Sequence, residues 1–249
     1  MRVGVYQCAA GVVATETRLA ELAVQAEGVD LLICPELFLS GYHAQAPALA
    51  EPRDGPFGQA VARIAKQAGV AIAYGYPEAA AGRVYNAAAL YDRSGALIAT
   101  HRKRLPSPGS FEDAGFDRGG CATFADLLGW RVAIIICYEV EFPEILRHAA
   151  RSGAEFVIVP TALGADWGVV AEHLVPTRAY ENGLWIAYAD HTGVAEGIRF
   201  FGGSRVVGPD GKAYAVGGQG AGRITATLDK AEVQRMRARI PFLRDCADL

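Results

Sequence analysis

Three residues of this chain are of types that together can attack a carbonyl: the thiol of Cys137, the carboxylate of Glu36 and the ammonium of Lys103. Cys137 lies in the stretch Val132-Ala133-Ile134-Ile135-Ile136-Cys137-Tyr138-Glu139-Val140-Glu141-Phe142-Pro143-Glu144. Its apolar run, with no polar interruption, predicts a strand buried on both faces. Pro143 and Glu144 suit the first turn of a helix. Cys137 is therefore expected at a strand-to-helix turn, held rigidly beside backbone N–H groups that can stabilise a thiolate or an oxyanion. Glu36 follows the apolar run 31–34, one residue after Pro35, and Lys103 closes the run 97–102. Sites in open α/β sheets gather at the carboxyl ends of strands. In such a place the glutamate can take the thiol proton while the lysine stays charged and stabilises an oxyanion. Singly, each has an ordinary reading: a core cysteine, a helix N-terminal carboxylate, a lysine at a surface loop. Their common position at strand ends is what points to a nucleophilic site.

The elements that must position them alternate along the chain. Strands are expected at 3–7, 31–34, 70–76 (with Pro77 closing it), 85–91, 97–102, 132–136, 156–160, 185–190, 201–207, 212–216 and 223–228. Helices are expected at 16–27, 57–69, 143–152, 169–183 (with Pro176 a possible kink) and 232–239. Leu19, Leu22, Ala23 and Ala26 make one apolar face of the first helix, which Gly28 ends. Asp92-Arg93-Ser94-Gly95 and Gly208-Pro209-Asp210-Gly211 carry hairpin turn chemistry. The irregular segment 104–120 is long for a loop inside a compact domain, and such loops are usually functional or disordered. This order predicts an α/β fold with a mixed sheet or two sheets. With no linker, low-complexity segment or internal repeat, 1–249 reads as a single domain.

The chain has 249 residues, 51% hydrophobic and 20% charged, with a net charge of −3. No basic run calls for nucleic acid or an anionic membrane, and no apolar run approaches spanning length. The start, Met1-Arg2-Val3-Gly4-Val5, reads as a strand and not as a signal peptide. Five scattered cysteines (Cys8, Cys34, Cys121, Cys137 and Cys246), with no C-x-x-C pair, argue against zinc and against a disulfide framework. A reduced, cytoplasmic protein is expected. The glycines of 217–222 do not fit a dinucleotide-binding fingerprint. A Cys–His enzyme would need one of His43, His101, His148, His173 or His191, and these look like ordinary positions.

The chain resembles the nitrilase superfamily of carbon–nitrogen hydrolases. The resemblance rests on Pro35-Glu36-Leu37-Phe38 with Gly41-Tyr42, on His101-Arg102-Lys103, and on Cys137-Tyr138-Glu139 with Phe142-Pro143-Glu144. Val159-Pro160-Thr161-Ala162, Arg178-Ala179-Tyr180-Glu181-Asn182, and Gly203-Ser204 with 208–211 continue it in the family's order. It implies a four-layer α-β-β-α sandwich, two mixed β-sheets flanked by helices, with a Glu36–Lys103–Cys137 site and a homodimer or larger assembly. A second glutamate of the family, four residues before an aromatic, matches Glu112 with Phe116 and Gly119, so the 104–120 loop would carry a site residue. Arg118 stands where the family often has proline, which bears on loop shape. Glu141 stands where many members carry arginine, which disfavours an anionic substrate such as a carbamoyl amino acid. The Glu141-Phe142-Pro143-Glu144 version resembles aliphatic ω-amino amidases, although Glu141 could equally serve a subunit interface.

The expectation is an amidase that cleaves a small linear carboxamide to an acid and ammonia. Glu36 is the base, Cys137 the nucleophile, Lys103 and the backbone N–H of Tyr138 the oxyanion donors, and Glu112 the group that orients Lys103 and the amide. Tyr42, Glu141, Thr161 and Ala162 are expected against the substrate, with walls from 104–120 and 161–167. This chemistry requires no metal or organic cofactor. A nitrilase would share the same residues, and a silent ligand-binding member would have no use for them.

Overall fold

The structure is a computed structural model that describes residues 1–246; the last three residues of the expected 1–249 domain lie outside the described residues. The first part of the chain contributes β1 (Arg2–Ala9), α1 (Thr15–Ala26), β2 (Leu31–Ile33), α2 (Pro56–Ala68), β3 (Ala71–Ala80), β4 (Arg83–Tyr91) and β5 (Leu97–Arg102). The short α3 (Glu112–Gly115) is followed by β6 (Thr123–Leu127), β7 (Trp130–Ile134), α4 (Pro143–Arg151), β8 (Phe156–Pro160), α5 (Val175–Asn182) and β9 (Trp185–Ala189). After these come β10 (His191–Thr192), β11 (Val194–Ala195), β12 (Ile198–Arg199), β13 (Arg205–Val207), β14 (Ala213–Val216), β15 (Gly222–Thr227), α6 (Lys230–Arg239) and a terminal turn, Phe242–Asp245.

Two mixed sheets result. The first runs β10-β1-β2-β3-β4-β5, with β15 also on β1, and the second runs β14-β13-β9-β8-β7-β6. β1, β2 and β3 are mutually parallel, as are β7, β8 and β9, while hairpin strands extend each sheet antiparallel. Alternation along the strands builds the layers. Val3, Val5, Leu31, Ile33, Val132, Ile134, Phe156 and Ile158 share one core between the sheets. Leu32, Cys34, Ile72 and Tyr74 point the other way, onto Leu22 and Ala26 of α1 and Val61 and Ala65 of α2. Ala133, Ile135, Val157 and Val159 point away from the shared core onto Leu146 and Ala149 of α4 and Val175 and Ala179 of α5. Strands apolar on both faces are thus covered twice, and the order is α-β-β-α.

Several boundaries differ from the sequence expectation for physical reasons. β3 passes through Pro77 and does not end there. The carbonyl of Pro77 accepts from Glu51 N–H on the side away from β4. A strand residue's N–H and C=O share one side, so the missing N–H costs the β3–β4 ladder nothing. The expected strand 201–207 shrinks to β13, because Gly202 and Gly203 turn the chain at φ 68° and 63°. The expected helix 169–183 divides into a wide turn with i to i+5 bonding, Val170–Leu174, and α5, with Pro176 at the junction. β6 and the two-residue ribbon strands β11 and β12 had no counterpart in the expectation.

Candidate active site

β2, β5 and β7 end at the same rim of the sandwich, and each end presents one of the three groups. Past β2, the backbone N–H of Glu36 donates across the sandwich to Thr161 O at 3.4 Å, so the Glu36 turn is anchored on the opposite sheet. The Glu36 carbonyl lies 2.7 Å from His191 Nε2, which must donate; Nδ1 is then the acceptor facing Cys8 Sγ at 3.5 Å. Burial pushes His191 down to about 4, so the ring is neutral. Gly75 lets β3 pass beneath this turn: a Cβ there would lie 2.4 Å from Leu37 N and 2.6 Å from Glu36 Cα. Gly119 does the same for the 104–120 loop, since its Cβ would fall 1.9 Å from Arg102 O. Cys137 follows β7 at φ 49°, as Leu37 follows Glu36 at φ 49°. Non-glycine residues hold that conformation only where the surroundings impose it, at roughly 1–2 kcal/mol each.

The side chains converge as the strand-end argument requires. Lys103 Nζ donates to Glu36 Oε1 and to Glu112 Oε2, both at 2.7 Å, and to Ser107 Oγ at 3.3 Å. Asn86, on β4, donates to Glu36 Oε1 at 2.7 Å and to Glu112 Oε2 at 3.3 Å. Tyr42 Oη donates to Glu112 Oε1 at 2.5 Å. Glu36, Lys103 and Glu112 are buried essentially completely. Glu36 Oε2 is buried with no partner.

Electrostatics follow from burial with few counter-charges. Burial raises Glu36 to about 7 against the pull of Lys103, with Glu112 adding to the rise. Burial disfavours the Lys103 ammonium, but Glu112 and Glu36 together hold its pKa well above the ordinary lysine value. The Cys137 thiol is pushed well up by burial and by Glu36, with Lys103 and an N–H of Ala162 acting in the opposite sense. Burial thus favours the protonated thiol at Cys137 and brings the Glu36 carboxyl to exchange its proton near neutrality.

Of the other expected site residues, Tyr42 is placed through Glu112, with its ring against Phe111 and Phe200 at centroid distances of 4.8 and 5.8 Å. Ala162 lies at the thiol. Thr161 turns its hydroxyl to Val159 O at 3.2 Å and offers Glu36 its carbonyl. Glu141 is half-buried; burial raises its pKa, while Lys103 and Arg178 lower it, so it senses the site. Tyr138 is the second residue of the 3-10 turn Cys137–Glu141, directly after Cys137. Sequence reasoning missed Asn86, Ser107, His191 and Glu139. Asn86 carried a signal: it is the lone amide in the otherwise apolar run 85–91. Among the described residues no group of three or more His, Cys, Asp or Glu side chains could hold a metal ion, and no helix is long and apolar enough to cross a membrane.

Residues 3–238 match the carbon-nitrogen hydrolase family. A hydrolase encoded in the pqqF 5' region of Pseudomonas protegens is 40% identical over 98% of this chain and 88% of that protein. An (R)-stereoselective amidase of Pseudomonas sp. is 33% identical over 91% of this chain and 83% of that enzyme. The amidase of Nesterenkonia sp. AN1 superposes with a TM-score of 0.86 at 33% identity, covering 97% of this chain and 98% of that one. Among its solved forms is one in which acrylamide has added to its active-site cysteine. The chain belongs to the carbon–nitrogen hydrolase family: it is a carbon–nitrogen hydrolase of the amidase kind, within the nitrilase superfamily.

Proposed function

We propose that this enzyme hydrolyses small linear carboxamides, neutral or ω-amino aliphatic, to a carboxylic acid and ammonia through a thioester on Cys137. The observation that carries the reading is the buried, unpartnered Oε2 of Glu36, in a carboxylate whose other oxygen is held by Lys103 and Asn86. Glu36 takes the thiol proton as sulfur attacks the carbonyl carbon, and the carbonyl π pair moves onto oxygen. Lys103 and the Tyr138 N–H hold that oxyanion. As the oxyanion collapses, the C–N bond breaks and Glu36 returns the proton to nitrogen, releasing ammonia. Water then attacks the thioester with Glu36 as base, the C–S bond breaks, and the sulfur is reprotonated. Glu112, fixed by Tyr42, Asn86 and Lys103, orients the ammonium and the substrate amide. No step draws on a metal or an organic cofactor.

Substrate charge is read from Glu141. Arg178 beside it is engaged by Val140 O at 3.3 Å, by Glu141 O at 2.7 Å and by the Glu181 carboxylate at 3.2 Å. A substrate carboxylate would therefore meet Glu141 before any free guanidinium, and burying it unpaired would cost several kcal/mol. An ammonium at the far end of the substrate would be drawn to Glu141. The proposed setting is a cytoplasmic homodimer or larger assembly of one-domain chains. Half-exposed Tyr180, Tyr214, Val216 and Phe242 offer it apolar surface, and light scattering near 26.4 kDa would refute it. The function is tested by comparing kcat/KM for pentanamide, 5-aminopentanamide, the ω-carboxy amide of similar length and pentanenitrile, with mass spectrometry of Cys137 during turnover. An acyl adduct on Cys137 and preference for the first two are expected. Preference for the anionic amide would overturn the substrate reading, and adducts elsewhere would overturn the nucleophile.

A further inference from the structure

Glu139, two residues beyond the nucleophile, has no part in the steps above, yet its buried carboxylate joins two pieces of the site. Oε2 accepts the N–H of Ile136 at 2.7 Å, the residue directly before Cys137, and stands 2.8 Å from His101 Nε2. Oε1 accepts the N–H of Arg104 at 2.8 Å. His101 and Arg104 are the second residue before and the first residue after Lys103 in the alternating strand end, so one carboxylate grips the turn that presents the thiol and the segment that presents the ammonium. An ionised carboxylate only accepts, so Nε2 carries the hydrogen. Behind the ring, Nδ1 lies 3.3 Å from Thr123 Oγ1, a hydroxyl whose one hydrogen serves either Nδ1 or Thr100 O at 3.4 Å, so β6 braces the imidazole. Burial raises the Glu139 pKa, but His101 and the two N–H groups outweigh it and hold the carboxyl below its ordinary value. Cys137 sits in a backbone conformation that a cysteine does not choose by itself, and the bond to Ile136 is made at its entrance.

We propose that Glu139, braced by His101, is a positioning residue for the hydrolytic reaction, fixing the Cys137 thiol relative to the Lys103 ammonium. This rests on the assignment of Cys137 and Lys103 to amide hydrolysis. Misplacing a reacting atom by about 1 Å can cost on the order of 100-fold in rate. Glu139→Gln keeps size but replaces one acceptor oxygen with a donor that must face another donor. With pentanamide, kcat should fall on the order of 100-fold while KM moves less than about threefold. Alkylation of Cys137 by iodoacetamide, followed by mass spectrometry, should slow by about tenfold or more. His101→Ala should behave like Glu139→Gln, and the double variant should be no worse than either, since both break one device. His101→Gln, which still offers an amide N–H to Glu139, should recover most of the rate. Wild-type kcat and alkylation in both Glu139→Gln and His101→Ala would overturn the proposal, as would losses matched by the unfolded fraction in circular dichroism, or a kcat loss with alkylation unchanged. If Glu139→Gln does not fold, the contrast between His101→Gln and His101→Ala decides. If the wild type hydrolyses no amide, the proposed function fails, while the alkylation rates still test the positioning.

Discussion

Arg102 and Lys103 are neighbours in sequence, yet they enter two buried-carboxylate clusters of opposite character. On one face, Arg102 grips Glu78 with two bonds, at 2.6 and 3.0 Å, and Arg53 adds a second cation at 3.4 Å. The Arg102 guanidinium also covers the Tyr85 ring at 4.4 Å. Both oxygens of Glu78 are satisfied, and the arginines reach solvent. On the other face, Lys103 lies wholly inside between Glu36 and Glu112, and Glu36 keeps one oxygen without a partner. A saturated cluster has nothing left to offer a substrate and works as a clamp. An unsaturated one keeps hydrogen-bonding capacity free in a buried place, which suits a proton acceptor. The same test separates the two glutamates of the site: Glu112 is fully engaged and Glu36 is not.

The strongest way to break this contrast is to alter the open cluster. Glu36→Gln removes the acceptor that has no partner and should lower kcat on the order of 1,000-fold with the fold intact. Lys103→Arg keeps the charge but not the compact donor, and should cost most of the activity. Single-turnover kinetics beside circular dichroism would show both, and near-normal turnover by Glu36→Gln would sink the mechanism.

The next effect sharpens the contrast through pH. Glu36 must be ionised to act as base, and burial places its pKa at about 7. Activity should therefore be full above about 7 and fall towards tenfold per unit below it. A profile of kcat/KM that stays flat down to pH 5 would contradict the assignment.

Glu78→Gln disturbs the saturated cluster instead. Stability should drop by about 1–3 kcal/mol, softened because Arg102 and Arg53 reach water. Turnover per folded molecule should stay within about threefold of wild type, because no step of the proposed reaction uses Glu78. A large kcat loss at unchanged stability, measured by urea titration and assay together, would erase the distinction. The smallest effect belongs to Cys121→Ser. Cys121 is exposed and has no part in the proposed reaction, and its replacement should change neither stability nor rate measurably.

Much of this was legible in the chain. Runs that are apolar without interruption, such as 132–136, announced strands covered on both faces. The abrupt change at Cys137, at Glu36 after Pro35 and at Lys103 marked the strand ends where the site forms. Glu112 was reachable only through the resemblance, because a carboxylate in a long loop has no local signature. His101 and Glu139 looked ordinary because their meaning lies in a contact 38 residues apart. β6 was passed over because 123–127 alternates weakly and borders the irregular loop, and its strand character comes from pairing with β7. Pro77 misled because its effect depends on which side of the strand its nitrogen faces, a matter of register that sequence does not state.

The bond from Glu36 N–H to Thr161 O crosses from one sheet to the other. Glu36, Lys103 and Glu112 all precede residue 113, whereas Cys137 and Ala162 come later in the chain. As the polypeptide leaves the ribosome, Glu36, Lys103 and Glu112 thus emerge before Cys137, and Thr161 and Ala162 after it. On the proposed mechanism, activity requires the sheet that carries Cys137 to dock on the sheet that carries Glu36 and Lys103. After dilution from denaturant, returning activity would time-stamp that closure, and not the formation of either sheet.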